Sequence, residues 1–238
     1  MNFEELKTLY LQKKKKYGEK VFSKISELFR EAKAKHRQFF FNSKVAKDAL
    51  REGRTPDHEQ SWRAFKGKNL EKLVIFMIEE EVKTLGLKIV EGNKLEKTNS
   101  INLSKELAQV KKNLLIDYGE FGFHLPDVDI IIYNPKDYKV IAVISSKVTL
   151  RERIAQTGYW KIKLSQDKTT KHIKVFFITP DEDETLVKKK PAKKGRAIVE
   201  LDTDGSYVLS EVKVEESDKV KMFDRFIEDL KKLINGLK

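Results

Sequence analysis

An aspartate and a lysine flank two β-branched runs at a spacing that could support hydrolysis of a phosphodiester. Pro126-Asp127 precedes the run 128–133, and Lys147 follows the run 140–144. The turn-like residues 134–137 predict a hairpin, which would bring Asp127 and Lys147 to one edge of a sheet. A carboxylate there can bind a hard divalent cation such as Mg²⁺, and a neighbouring lysine can position an attacking water and balance charge on the phosphorus.

The segment after Lys147 has the features of a helix that reads bases. Its Thr-x-x-Glu sequence is a capping box, which predicts a helix beginning at Thr149. One face of this helix, with Leu150, Ile154 and Ile162, is expected to pack on the sheet. The other face would present side chains whose donors and acceptors suit base edges. These candidates for DNA binding are Arg151, Glu152, Arg153 and Gln156.

The elements that would position these residues are an α/β (α+β) set, with helices before and after a central sheet. Residues 1–50 and 61–83 predict helices, and the chain closes with a helical stripe over 220–234. Predicted strands are 87–90, 128–133, 140–144 and 173–178, followed by edge strands at 197–201 and 207–214. The break at 53–57 divides the chain into a helical N-terminal region, 1–58, and a catalytic region, 59–238.

Composition narrows the classes of function further. The 238 residues carry 49 Lys and Arg against 37 Asp and Glu, and the net charge of +12 points to a polyanionic partner, nucleic acid first. The absence of cysteine excludes disulfides, cysteine-ligated metals and a cysteine nucleophile. No apolar run is long enough for a membrane span or signal segment, so we expect a cytoplasmic protein without a membrane or organic-cofactor partner. Abundant Lys and Glu fit a heat-adapted prokaryotic source.

Pro126-Asp127 and Lys147 together resemble the PD-(D/E)XK nuclease superfamily, which implies a restriction-endonuclease-like mixed sheet flanked by helices. Ser145 stands where that pattern has an acid. The resemblance makes Asp127 and Lys147 catalytic and implies a second acidic ligand for Mg²⁺ from elsewhere in the chain. The best candidate is Glu71, on the helix before the sheet; Glu120 and Asp129 are the alternatives.

The run from Ser145 to Gln156 is similar to type II restriction endonucleases of the BsaWI-like branch, which reads CC/GG-containing targets. Relatives in this branch often place a catalytic glutamate 13 or 14 residues after the lysine, where this chain has Trp160 and Lys161. The similarity implies Mg²⁺-dependent cleavage of double-stranded DNA at a short palindrome by a homodimer. The N-terminal helices would embrace DNA or dimerise, and the Lys188–Lys194 segment is either a surface loop or a clamp on the DNA backbone.

Two other functions are compatible with the same residues. A structure-specific or repair nuclease of this fold would need the basic surface and the metal site, but no base-reading helix face. A catalytically inactive DNA-binding protein would result if Ser145 had abolished metal binding. The charge of +12 suits all three functions and therefore does not choose among them.

Overall fold

The computed structural model describes residues 1–150 and 153–236, and it has a central six-stranded sheet between two layers of helices. The helices are α1 Phe3–Tyr17, α2 Ile25–Asn42, α3 Lys44–Arg51, α4 His58–Thr84, α5 Gly92–Lys97, α6 Lys105–Lys112, α7 Arg153–Gln166, α8 Lys194–Asp202 and α9 Phe226–Asn235. The strands are β1 Lys88–Glu91, β2 Ile116–Asp117, β3 Phe123–His124, β4 Ile130–Tyr133, β5 Val140–Ser146, β6 Lys174–Thr179, β7 Gly205–Val208 and β8 Val220–Met222. Across these described ranges, no helix is long and apolar enough to cross a membrane.

The sheet is mixed, as the sequence predicts. Its strand order is β1-β4-β5-β6-β7-β8, with antiparallel pairing from β1 to β5 and parallel pairing from β5 to β8. β4 and β5 form the predicted hairpin, in which Ile130 lies opposite Ile144. All residues of both strands are buried, which explains why they appear in the sequence as continuous apolar runs without alternation.

Each face of the sheet has its own apolar layer. Helices α1, α2, α4 and α9 cover the face that carries Ile130, Ile132 and Ile144. Helices α6 and α7 cover the opposite face around Ile131 and Val143, while α8 packs beside α7. The N-terminal helices therefore share one core with α4 and the sheet. The division between 1–58 and 59–238 stays a prediction.

The C-terminal third differs from the sequence prediction in three places. The expected edge strand at 197–201 is part of helix α8, in which Val199 is buried and Leu201 is 79% exposed. In the second expected edge strand, only the first two residues belong to β7, which lies between β6 and β8 inside the sheet. The closing helix begins at Phe226, because Val220 instead pairs with Ser206 in the sheet.

Candidate active site

Three elements meet at the end of the central hairpin and bring two carboxylates and a lysine together. Asp129 directly precedes β4, and its backbone N–H donates to the carbonyl of Ile144 at 3.1 Å. Lys147 follows the last residue of β5, and Glu71 lies in the middle of α4. The antiparallel register of β4 and β5 places the start of one strand beside the end of the other, as the sequence predicts.

Lys147 connects the two acids. Its Nζ lies 2.7 Å from Oδ1 of Asp129 and 3.8 Å from Oε1 of Glu71. The other carboxylate oxygen of Asp129, Oδ2, accepts the backbone N–H of Ser146 at 2.6 Å. Asp129 is 6% exposed, so its carboxylate is held by the hairpin backbone as well as by the lysine.

The negative charge around Glu71 is only partly balanced by nearby positive charge. Its burial and the neighbouring Asp129 carboxylate raise the pKa of Glu71 to about 7, although Lys147 acts in the opposite direction. One ammonium group thus serves two converging carboxylates. A divalent cation would supply the missing charge, and carboxylate oxygens are the ligands that Mg²⁺ prefers.

The donor set fits a magnesium ion of the kind that completes its coordination with water and substrate. Mg²⁺ commonly binds through one or two carboxylates, and Glu71 and Asp129 supply two. Among residues 1–150 and 153–236, no group of three or more His, Cys, Asp or Glu side chains could hold a metal by itself. Within the described residues, Glu71 and Asp129 are the two carboxylates that contact Lys147.

Asp127 and Glu120, the other predicted acids, lie in different surroundings. The Asp127 side chain is exposed, and its Oδ2 accepts a hydrogen bond from Nε2 of Gln156 at 2.7 Å. Glu120 is exposed in the short turn Gly119–Phe121. The structure thus brings together Glu71, Lys147 and the alternative acid Asp129.

Ser145, at the position where the superfamily pattern has an acid, faces helix α7. Its buried Oγ accepts a hydrogen bond from Oγ1 of Thr157 at 3.1 Å. The next residue, Ser146, is 1% exposed, and its Oγ has no hydrogen-bond partner in the described part of the chain.

Trp160 and Lys161, which occupy the positions where relatives often have a catalytic glutamate, have structural contacts. Lys161 forms an ion pair with Asp204 at 2.6 Å. Trp160 packs against the apolar layer around Leu164. These two positions of α7 therefore supply no acid to the site. The acid from a helix is Glu71, on α4.

The predicted base-reading residues lie at the N-terminal end of α7. Arg153 is exposed and lines a cleft that also contains Glu71 and Lys147, while Gln156 contacts Asp127. Arg151 and Glu152 fall outside the described residues.

Leu150 and Ile154 are buried as expected. Helix α7 is described from Arg153, not from the predicted Thr149, and the N–H of Ile154 donates to the carbonyl of Leu150 at 3.2 Å. The expectation that Ile162 lies on the same buried face was wrong, since Ile162 is 49% exposed. Eight residues at about 100° each turn the helix about 80° past two full turns from Ile154, so Ile162 points away from the sheet.

A cleft of about 1220 Å³ opens above Glu71 and Lys147. Its lining is predominantly basic, with nine Lys and Arg against four Glu. The basic residues are Arg30, Lys33, Arg63, Lys66, Lys68, Lys72, Lys97, Lys147 and Arg153. Lys66 is held by an ion pair with Glu182, which also lines the cleft. A cleft of this charge attracts a polyanion.

Sequence reasoning did not assign the α2 residues of this lining. Arg30 and Lys33 are separated by three positions, so they project from one side of the helix toward the cleft. The spacing of Arg30, Lys33 and Arg37 predicts a basic helix face. Many solvent-exposed helix faces have the same spacing, so it does not by itself indicate a binding site. The packing of α2 on α4 is what brings them to the site.

The comparisons with known proteins agree with this geometry. A family profile described as BsaWI restriction endonuclease type 2 matches residues 106–229, which is more than half of the chain. The chain belongs to the BsaWI family of type II restriction endonucleases. It is a site-specific endonuclease with a restriction-endonuclease fold, as the sequence predicts.

Two curated relatives support this assignment, and one solved structure supports the fold. MjaVIP of Methanocaldococcus jannaschii, assigned as a type II restriction enzyme, is 39% identical over 82% of this chain and 88% of its own. HpyAORF263P of Helicobacter pylori, assigned likewise, is 33% identical over 66% of this chain and 82% of its own. The fold is similar to that of the restriction endonuclease AgeI in its specific DNA complex, with a TM-score of 0.55, 13% identity and coverage of 97% and 91% of the two chains.

Proposed function

We propose that this endonuclease is Mg²⁺-dependent and hydrolyses double-stranded DNA at a short palindrome that contains GG/CC. The observation that supports the proposal most directly is the position of Lys147, between the carboxylates of Glu71 and Asp129 at the base of a basic cleft. The cleft would hold the DNA backbone, and the acidic pair would lie beneath the scissile phosphate.

Glu71 and Asp129 would hold the magnesium ion. The geometry favours Asp129 over Asp127, because Asp129 is buried against Lys147, whereas Asp127 is exposed and engaged by Gln156. A bound Mg²⁺ lowers the pKa of a coordinated water and neutralises charge on the phosphate. This arrangement departs from the PD-(D/E)XK pattern at both acids, with Asp129 in place of Asp127 and Glu71 in place of the acid that is missing at Ser145.

Lys147 would act on the reacting groups directly. Its ammonium group can donate hydrogen bonds to the attacking water and to a non-bridging phosphate oxygen, and it already donates to Asp129. Attack of water on phosphorus forms one P–O bond and breaks the bond to the 3′ oxygen. The water proton would pass to solvent or to a neighbouring carboxylate, and the leaving 3′ oxygen would take a proton from solvent, so that the products are a 5′-phosphate and a 3′-hydroxyl.

Specificity would come from the N-terminal end of α7. Arginine suits bidentate contact with guanine O6 and N7, and Arg153 already projects into the cleft. Arg151, Glu152 and Gln156 would complete the set that reads the GG/CC bases. A palindrome has two-fold symmetry, so a homodimer would present one such helix end to each half-site.

The test is digestion of plasmid and phage DNA with purified protein in Mg²⁺, beside an EDTA control and a Lys147→Ala variant. We expect discrete fragments that disappear in EDTA and in the variant, and whose mapped ends share a GG/CC palindrome. Cleavage of branched substrates alone would instead indicate a repair nuclease. DNA binding with no cleavage over several divalent metals would indicate an inactive site.

A further inference from the structure

Ser146 carries a buried hydroxyl group next to the two carboxylates of the candidate active site. The residue is 1% exposed, and its Oγ has no hydrogen-bond partner in the described part of the chain. A buried hydroxyl without a partner is destabilising, and native proteins satisfy the large majority of such groups. An unpaired hydroxyl at this position therefore indicates a partner that binds in the cleft together with the metal ion.

The Ser146 side chain lies on the face of the sheet that helix α4 covers. Side chains alternate along a strand, and Ser145 faces helix α7 through its hydrogen bond with Thr157. Ser146 is therefore on the opposite face, together with Ile144, which packs in the apolar layer beneath α4. It also lines the cleft that contains Glu71. The hydroxyl group thus belongs to the same side of the sheet as the acid from α4.

The backbone of Ser146 is already fixed by the candidate active site. Its N–H donates to Oδ2 of Asp129 at 2.6 Å, and the ammonium group of the next residue, Lys147, donates to Oδ1 at 2.7 Å. With the backbone held in this way, rotation about one side-chain bond decides where the hydroxyl points. The hydroxyl can both donate and accept a hydrogen bond. Ser146 thus presents a neutral polar group whose position is set by Asp129.

We propose that the Ser146 hydroxyl forms a hydrogen bond with a water molecule coordinated to the magnesium ion, and in this way positions the ion between Glu71 and Asp129. The inference rests on the proposed function, which assigns the ion to these two carboxylates. A magnesium ion bound by one or two carboxylates keeps several of its waters. Groups that hold the ligands of a metal from outside change its affinity by about 10- to 100-fold. Ser146 is in this role a positioning residue, because it acts through the water.

Ser206 provides a matched control for this role. It is also a buried serine of the central sheet, and its Oγ likewise has no partner among the described residues. It lies on β7, and it is not one of the described residues that line the cleft. Replacing either serine with alanine removes an unpaired buried hydroxyl. Both variants should therefore unfold, with EDTA present, at a urea concentration no lower than the parent protein does.

The experiment is a titration of the purified protein with Mn²⁺, in which the electron paramagnetic resonance signal reports the free ion. We expect Ser146→Ala to weaken Mn²⁺ binding about tenfold or more, whereas Ser206→Ala should bind Mn²⁺ as the parent does. Ser146→Thr keeps the hydroxyl group and should recover most of the affinity. Urea unfolding of the same preparations in EDTA separates this effect from a change in stability.

Three results would overturn the proposal. Equal Mn²⁺ affinity in the parent and in Ser146→Ala, or an equal loss in Ser206→Ala, would remove the role of Ser146 and leave the proposed function intact. Unfolding of Ser146→Ala at a lower urea concentration than the parent in EDTA would show that the hydroxyl is structural. Absence of Mn²⁺ binding by the parent protein would contradict the metal site of the proposed function, and the role of Ser146 with it.

Discussion

Lys147 is the residue on which the candidate active site converges. It is fixed by a 2.7 Å contact with Asp129, and it reaches Glu71 from a separate element, so its ammonium group links the hairpin to α4. The same contact orients Asp129, whose second oxygen is held by the backbone of Ser146. The position of one lysine thus depends on two long-range contacts that sequence spacing alone does not reveal.

Substitutions of Ser145 test whether this position belongs to the metal site, because its side chain points to α7. We expect Ser145→Asp to lower the free energy of unfolding by about 2 kcal/mol or more, since it buries a carboxylate beside Thr157. Restoring an acid at this position should also fail to raise the cleavage rate. The matched control, Ser145→Ala, should cost only about 1 kcal/mol for the lost hydrogen bond.

Chemical unfolding and a cleavage assay on the same preparations would check both parts of this prediction. A Ser145→Asp variant that is as stable as the parent and cleaves DNA faster would show that position 145 does face the metal site.

At the scale of elements, the central hairpin was predictable and the C-terminal strands were not. The runs at 128–133 and 140–144 are β-branched and separated by a clear turn, so few other structures suit them. The run at 197–201 is as long as 140–144, but it contains Glu200 and has no such partner run across a turn. Its assignment as helix α8 depends on the burial of Arg196 and Val199, three residues apart, against the rest of the fold.

The sequence also did not distinguish which aspartate, Asp127 or Asp129, belongs to the site. Asp127 and Asp129 are two residues apart, and strand alternation predicts that they lie on one side. The hairpin begins its regular pairing at Ile130, which leaves Asp127 outside the ladder, exposed and bonded to Gln156. Only the tertiary structure distinguishes the two aspartates.

Gly92 controls how closely β1 approaches the segment that carries Asp129. Its N–H donates to the carbonyl of Asp129 at 2.8 Å, and a Cβ at this position would lie 1.8 Å from the carbonyl oxygen of Val128. We expect Gly92→Ala to lower the free energy of unfolding by about 1–3 kcal/mol. It should also reduce cleavage, because the backbone beside Asp129 must move.

The matched control is Gly67→Ala in the middle of α4, where an added Cβ meets no atom within 4 Å. Alanine is the better helix former, so this variant should be more stable by about 0.5–1 kcal/mol in denaturant unfolding. A Gly92→Ala protein as stable as the parent would show that the β1 contact does not constrain the site.

At the scale of the whole molecule, charge and packing have separate roles. Composition predicts a polyanionic partner from the charge of +12, but it does not say where the positive groups gather. The packing of α2 on α4 brings Arg30 and Lys33 to the same cleft as Arg153, which lies more than a hundred residues away in sequence. The position of the cleft thus depends on the fold, whereas its positive charge is predictable from the sequence.

The central claim is that Glu71, Asp129 and Lys147 form the catalytic centre, and comparison of Asp129→Asn with Asp127→Asn tests it most directly. Single-turnover cleavage in Mg²⁺ would be measured for both, with DNA affinity in EDTA as the control for folding and binding. We predict a loss of about 100-fold or more for Asp129→Asn, because a bound metal supplies several kcal/mol of transition-state stabilisation. Asp127→Asn should stay within about tenfold of the parent, since it alters an exposed contact with Gln156. A rate that collapses in Asp127→Asn and persists in Asp129→Asn would contradict the account.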